Sequence, residues 1–166
     1  MRLRSHFIGF LLVLIAGAAQ ASTYENLFAK HFGAGFVVTE GEVIIGDLAY
    51  PREKCITQSL SPCIRTERFV FYVPSAFPAI RIWHKDGASY RLKSERKGFW
   101  QNTDIRVYVI EQAWRGETLY FAYSIEFGVL AINSASGGQP EQLTLMESCG
   151  FAAMPSSRHC ANLRMP

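Results

Sequence analysis

Alternating apolar and polar positions dominate the chain from residue 36 onward. Short runs of β-branched and aromatic residues, at Phe36–Thr39, Val43–Ile45 and Arg68–Val73, are separated by glycine, proline and charged residues. The long segment Ala79–Ile132 continues this alternation with turn signals inside it. Alternation with a period of two residues is typical of half-buried strands. The pattern therefore predicts a run of antiparallel strands.

The segment Ser22–Phe32 has a different period. Ser22 can cap a helix, Glu25 lies at the capping-box spacing, and Gly33 offers a C-terminal stop. The apolar side of this helix would consist of Tyr24, Leu27, Phe28 and His31. We therefore expect one short N-terminal helix that packs on the strands.

Two segments are less regular. Asp47–Pro62 is polar and contains proline, which predicts a loop. Glu141–Glu147 has enough apolar positions for either a strand or one helical turn, and the pattern leaves both open.

The hydrophobic pattern also suggests a register for the first hairpin. A three-residue loop at Lys85–Gly87 pairs Ile82 with Tyr90 and Ile80 with Leu92, which keeps one face apolar. A two-residue loop would instead place Ile82 opposite a basic residue. The pattern therefore favours the three-residue loop.

The second hairpin follows the same logic. A three-residue loop at Trp114–Gly116 pairs Val109 with Phe121 and Val107 with Tyr123. Taken together, the elements predict a mainly β (α+β) domain, either an antiparallel β-sandwich or a partly open barrel, with the N-terminal helix packed on it.

The first 21 residues resemble an export signal. Arg2 and Arg4 precede the apolar run Phe7–Ala16, and Ala19–Ala21 has the small-x-small pattern of a cleavage site. The apolar run is shorter than the roughly 20 residues that a membrane-spanning helix needs. We therefore expect a cleavable signal peptide over 1–21, a single β-rich domain over 22–166, no stable membrane span after cleavage, and a periplasmic or secreted location.

The cysteine content agrees with export. An exported chain with an even number of cysteines is typically disulfide-bonded. Neighbours in sequence favour the pairs Cys55–Cys63 and Cys149–Cys160, although four cysteines allow three pairings. A zinc site has poor support, because the chain has no C-x₂₋₄-C pair. We expect two structural disulfides, no metal and no cofactor.

The charge balance argues against a nucleic-acid partner. After residue 21 the chain carries fifteen basic and fourteen acidic residues, so its net charge is close to zero. A nucleic-acid-binding domain usually shows a clear basic excess. Aromatic residues make up 13% of the chain, which supplies large side chains for the core.

No catalytic set is recognisable. The histidines of the mature chain (His31, His84 and His159) have no nucleophile motif beside them, since G-x-S-x-G and H-E-x-x-H are absent. Glu40 and Glu42 flank a turn glycine, and a solvated turn explains them better than a carboxylate pair for glycan hydrolysis. We therefore expect no catalytic residue and a protein that is not an enzyme.

A basic and aromatic surface is the main candidate for binding. In the predicted register the outer face of the first hairpin gathers Arg81, Trp83, Arg91 and Lys93, with Lys85 at the loop. The chain stays basic and aromatic as far as Trp100. On the second hairpin Tyr108 and Tyr120 lie on the face opposite the valines. Tryptophan and arginine are enriched at interface hot spots.

These features favour a non-enzymatic exported protein that binds another protein of the cell envelope or secreted fraction, such as an inhibitor or an immunity-type protein. A small-ligand or envelope-glycan binder that stacks sugars on Trp83, Trp100, Tyr108 and Tyr120 is the alternative. A small hydrolase that uses a histidine and a carboxylate is a third, weaker hypothesis.

Overall fold

A computed structural model describes residues 21–25, 35–55, 61–134, 141–147, 149–154 and 160. These residues form twelve strands and no helix. In chain order the strands are β1 Ser22–Glu25, β2 Phe36–Val38, β3 Glu42–Ile45, β4 Leu48–Pro51, β5 Cys63–Arg65, β6 Val70–Tyr72, β7 Ile82–Lys85, β8 Ala88–Trp100, β9 Thr103–Trp114, β10 Glu117–Ser124, β11 Gly128–Ser134 and β12 Glu141–Leu145.

Ten of the strands form one antiparallel sheet in the order β4-β3-β2-β1-β12-β11-β10-β9-β8-β7, and β5 pairs with β6 in a second, small sheet. The predicted mainly β class is therefore confirmed. The large sheet is not closed, since β4 and β7 stand at its two ends. Within the described ranges, no helix is long and apolar enough to cross a membrane.

The large sheet curves around β6. In a flat sheet the seven steps from β2 to β7 would separate these strands by about 34 Å. Yet the Phe69 ring, just before β6, lies 4.9 Å from the Phe36 ring of β2. At the other end of β6, the Trp83 indole nitrogen of β7 donates a hydrogen bond to the Tyr72 carbonyl at 2.9 Å. The sheet must therefore bend until strands near both of its ends contact the same short segment.

An aromatic cluster fills the space between the two sheets. The fully buried Phe71 ring lies 4.7 Å from Phe121 of β10 and 5.4 Å from Phe151. Phe151 belongs to the C-terminal tail and follows Cys149, which is bonded to Cys160. The tail is therefore part of the core, and its disulfide lies next to a buried aromatic residue.

Both disulfides have the expected pairing. Cys55 is bonded to Cys63, with Cα atoms 6.2 Å apart, and Cys149 is bonded to Cys160, with Cα atoms 6.0 Å apart. Each closes a short local loop, which removes conformational freedom from the unfolded chain. Two disulfides are compatible with an oxidising environment.

The predicted N-terminal helix is wrong for its first turn, because Ser22–Glu25 is a strand between β2 and β12. The fully buried Tyr24 explains the difference. Its hydroxyl donates to the Val129 carbonyl at 2.8 Å and accepts from the Phe151 N–H at 3.1 Å. These partners are distant in sequence, so local capping signals could not reveal them. Residues 26–32 of the predicted helix lie outside the described residues.

The predicted register of both hairpins is also wrong, and by the same amount. The structure pairs Lys85 with Ala88 and Trp114 with Glu117, so each loop has two residues. Asp86 and Arg115 both adopt left-handed backbone angles, with φ of 50° and 51°. Together with the glycine that follows each of them, they allow the type I′ turn, whose twist matches that of the strands.

Two further segments are now defined. The predicted loop Asp47–Pro62 begins with a strand, because β4 pairs with β3 along Leu48–Pro51. The open alternative at Glu141–Glu147 resolves to a strand, since β12 pairs with β11 on one side and with β1 on the other.

Candidate interaction surface

Two of the predicted binding residues belong to the core. Trp83 is 6% exposed and Tyr108 is 3% exposed, and both pack on Phe77 with ring centroids 5.7 and 5.0 Å away. The register explains the error, because the two-residue turn places Trp83 opposite Tyr90 on the inner face. Neither ring is available to stack on a ligand.

The basic residues of the first hairpin are distributed differently from the prediction. Arg91 opposes Ile82 rather than Arg81. Arg81 is exposed just before β7, and its carbonyl accepts the Leu92 N–H at 2.8 Å. The Lys85 ammonium lies 5.8 Å from the centre of the Tyr72 ring, near the turn. Arg81 and Arg91 therefore do not oppose each other directly.

The outer face of β8 carries a basic row, which we define as Arg91, Lys93 and Arg96. Arg91 opposes Glu111, and Arg96 opposes Val107. Both pairs lie on the face of the β8–β9 hairpin opposite to the buried Ile110. An irregularity in pairing between Leu92 and Ser94 turns Lys93 to this outer face as well. Trp100 lies on the same face at the far end of β8 and is partly buried.

Glu111 is the main counter-charge of the basic row. Its carboxylate lies 3.0 Å from the Lys93 ammonium. This hydrogen-bonded contact lowers the pKa of Glu111, and the Tyr120 hydroxyl and the Arg91 charge lower it further. Tyr120 of β10 opposes Glu111 of β9, so it lies on the outer face, where it is partly exposed.

β8 and β9 extend beyond their neighbours as a two-stranded arm, which we define as residues 93–107. β7 pairs with β8 only as far as Arg91 of β8, and β10 pairs with β9 only as far as Tyr108 of β9. Past these points β8 and β9 pair only with each other among the described strands, until the turn at Gln101 and Asn102.

The arm combines positive charge with exposed apolar surface. Five basic and two acidic residues lie between positions 91 and 106. One acidic residue, Glu95, is engaged by the Arg106 guanidinium at 2.9 Å. Close to the tip, Phe99 is 67% exposed, the largest exposed fraction among the described large apolar residues. Basic and aromatic side chains at the end of a projection are suited to binding an acidic partner.

The arm contains the basic and aromatic run that the sequence shows before Trp100, and its residues include Arg96, Lys97 and Phe99. The sequence pattern does not indicate that this run lies beyond the ends of the neighbouring strands. The overhang follows from strand length, because β8 has 13 residues and β9 has 12, whereas β7 has four. The sequence does not reveal it, since residues 93–98 are polar or glycine and break the alternation.

A second candidate is an open cleft of about 270 Å³ at the opposite end of these strands. Its lining residues come from the turns of both hairpins and from the β5–β6 region, and include Glu53, Arg65, Glu67, Asp86 and Arg115. Arg65 bridges Glu53 at 2.8 Å and Asp86 at 3.2 Å, and Arg115 donates to the Glu67 carbonyl at 2.9 Å. Because both arginines are already engaged within the protein, this cleft is the weaker candidate.

The described residues bring no histidine together with a carboxylate as an acid–base set. His84 is exposed on β7 and opposes Ser89, whereas His31 and His159 lie outside the described residues. The described part of the chain contains no group of three or more metal-ligating side chains. Comparison with protein-family models, with curated proteins and with solved structures finds no match to this chain.

Proposed function

We propose that this protein is an exported, non-enzymatic binding protein that engages another protein of the cell envelope or secreted fraction through its β8–β9 arm. The single observation that carries the proposal is the projection of a basic, apolar-tipped arm beyond both neighbouring strands. The signal-like segment and the two disulfides support export to the periplasm or beyond. An inhibitor or immunity-type role fits a surface that binds without a catalytic set.

Complementary charge and apolar area support this role. The basic row and Lys97 create a positive potential that steers an acidic partner toward the arm. Phe99 supplies apolar area that becomes buried only when a partner covers it. Charge would then set the rate of association, and burial of the aromatic tip would supply part of the affinity.

Glycan binding has less support. Its stacking platform requires four aromatic rings on one accessible face, whereas Trp83 and Tyr108 are in the core. Tyr120 and Trp100 alone lie on the outer side, and the register places them toward opposite ends of β9.

The first test compares capture by the oxidised mature protein with capture by a variant of the arm. The variant carries Arg91→Glu and Arg96→Glu, which reverse two exposed charges of the basic row. The matched control carries Lys54→Glu and Arg68→Glu, which change the net charge equally on other exposed parts of the protein. Bait protein is incubated with envelope extract and secreted fraction of the source, and bound proteins are quantified by mass spectrometry.

We expect one stoichiometric protein that is retained by the wild type and by the control but lost by at least about tenfold with the arm variant, with the wild-type complex weakened by salt. Equal capture by all three proteins would reject the arm as the binding surface. Recovery of no stoichiometric partner by the wild type would reject protein binding itself.

A further inference from the structure

We infer that the open edge of β8 in the arm receives an extended, acidic segment of the partner as an additional strand. This inference deepens the proposed function and rests on it. Recognition by strand addition uses backbone hydrogen bonds for affinity and side chains for specificity.

The first observation is the open edge itself. β7 ends the sheet, and its register covers only Ala88–Arg91 of β8. One further backbone hydrogen bond, from the Leu92 N–H to the Arg81 carbonyl, extends this cover by one residue. Among the residues that the structure describes, no strand continues alongside β8 from Lys93 to Trp100 on this side. An edge of this kind is a template for another strand.

The turn at the tip decides which backbone groups face the edge. Trp100 and Thr103 flank the two-residue turn, so they exchange hydrogen bonds with each other across the arm. Backbone direction alternates along a strand, so Gly98 and Arg96 also point toward β9. The N–H and C=O groups of Lys97 and Phe99 therefore point toward the open edge.

The charges around this edge select the occupant. Arg96 lies on the outer face of β8 and Lys97 on the inner face, so positive side chains flank the edge on both sides. Glu95 is on the inner face as well, but it is already paired with Arg106. A second copy of this chain would bring like charges together across the new pair of strands, which is unfavourable. An acidic segment would instead place negative side chains next to Arg96 and Lys97.

The test uses a defined probe, a short blocked peptide of alternating glutamate and valine, with the lysine and valine peptide as its control. Backbone amide exchange of the oxidised mature protein is followed by NMR with and without each peptide. We expect the acidic peptide to slow exchange at Lys97 and Phe99. Arg96 and Gly98 should change little, because their N–H groups are already bonded to β9.

Three results would overturn the inference. Unchanged exchange at Lys97 and Phe99 in excess acidic peptide would exclude strand addition by such a segment. Equal protection by the lysine peptide would exclude charge selection. Protection that rises with protein concentration alone would assign the edge to a second copy of the chain.

A pair of variants separates the backbone from the side chain. Lys97→Pro removes the outward N–H and leaves the ladder with β9, since proline is tolerated on edge strands where its nitrogen faces outward. Lys97→Gln removes the same charge and keeps the N–H. We expect the proline variant to bind the acidic peptide about tenfold more weakly than the glutamine variant, the size of one lost hydrogen bond.

Equal affinities of the two variants for the acidic peptide would overturn strand addition. If the proline variant misfolds, the amide exchange of the wild type decides between the same two outcomes.

The two proposals can fail separately. A natural partner that is captured through the arm, and that binds the two variants equally, would preserve the proposed function while rejecting strand addition. Failure of capture by the wild type would reject the proposed function.

Discussion

Trp83 and Tyr90 stack directly across the β7–β8 hairpin, with ring centroids 5.3 Å apart and ring planes within 4° of parallel. The pair is possible only in the two-residue register, because the three-residue loop would turn one ring outward. The Trp83 indole also bonds to the Tyr72 carbonyl of β6. The stacked pair therefore connects the edge of the large sheet to the segment around which the sheet curves.

The stacked pair leads to a prediction about neighbouring residues. Trp83→Ala should lower the free energy of unfolding by roughly 3–5 kcal/mol, since it removes a large buried side chain. Ile82→Ala is the matched control, because Ile82 is 60% exposed, and its effect should stay within about 0.5 kcal/mol. Urea unfolding followed by fluorescence and circular dichroism measures both. Similar costs for the two variants would contradict the observed register.

A second prediction concerns alkaline pH. Burial raises the pKa of Tyr24, Tyr90 and Tyr123 well above the ordinary value of a tyrosine. The unfolded chain loses these protons near pH 10, whereas the folded protein retains them, so the folded state binds more protons above that pH. These three tyrosines should therefore make the free energy of unfolding fall as the pH rises above about 10.

Urea unfolding at a series of pH values tests this fall, and ultraviolet absorbance follows the phenolates. In Tyr24→Phe the fall should be shallower, because one of the three buried hydroxyl groups is gone. Ionisation of these tyrosines at ordinary pH in the folded protein would contradict the prediction.

A third prediction concerns the structure of the arm. A Cβ atom on Gly98 would lie 2.8 Å from a methyl carbon of Val107, the residue diagonally across the arm. Gly98→Ala alone should therefore reduce stability by about 1–3 kcal/mol through overpacking. Combining it with Val107→Ala should recover much of this loss. A double-mutant cycle by urea unfolding measures the coupling, and strict additivity would place the two residues apart.

The sequence could predict the mainly β class, both disulfides and the basic character of β8, because these depend on composition, spacing and alternation. It could not predict the hairpin register. Ile82 and Trp83 are both apolar, so the pattern does not indicate which of them faces the core, and contacts with β6 make that choice. The left-handed backbone of Arg115 is another departure from residue preference, since few non-glycine residues adopt it.

The candidate site was only partly predictable for a related reason. The outer face of β8 carries Arg91, Lys93 and Trp100, in agreement with the basic and aromatic pattern of the sequence. In contrast, Trp83 and Tyr108 are buried, because their large side chains fill space in the core. The apolar residue exposed at the tip, Phe99, shows no local sign of being exposed. Its position follows from where β7 and β10 end.

The place of β1 between β2 and β12 has a consequence for folding. Tyr24, near the beginning of the domain, pairs with Leu145, close to its end. Because β12 joins β11 to β1, the ten-stranded sheet stays incomplete until the last of its strands along the chain is available. Long-range pairing of this kind also slows folding, since a large loop must close before the contacts form. The strands from β7 to β11 pair with their neighbours along the chain and need no such closure. The complete sheet therefore forms only when the whole length of chain from Tyr24 to Leu145 is present.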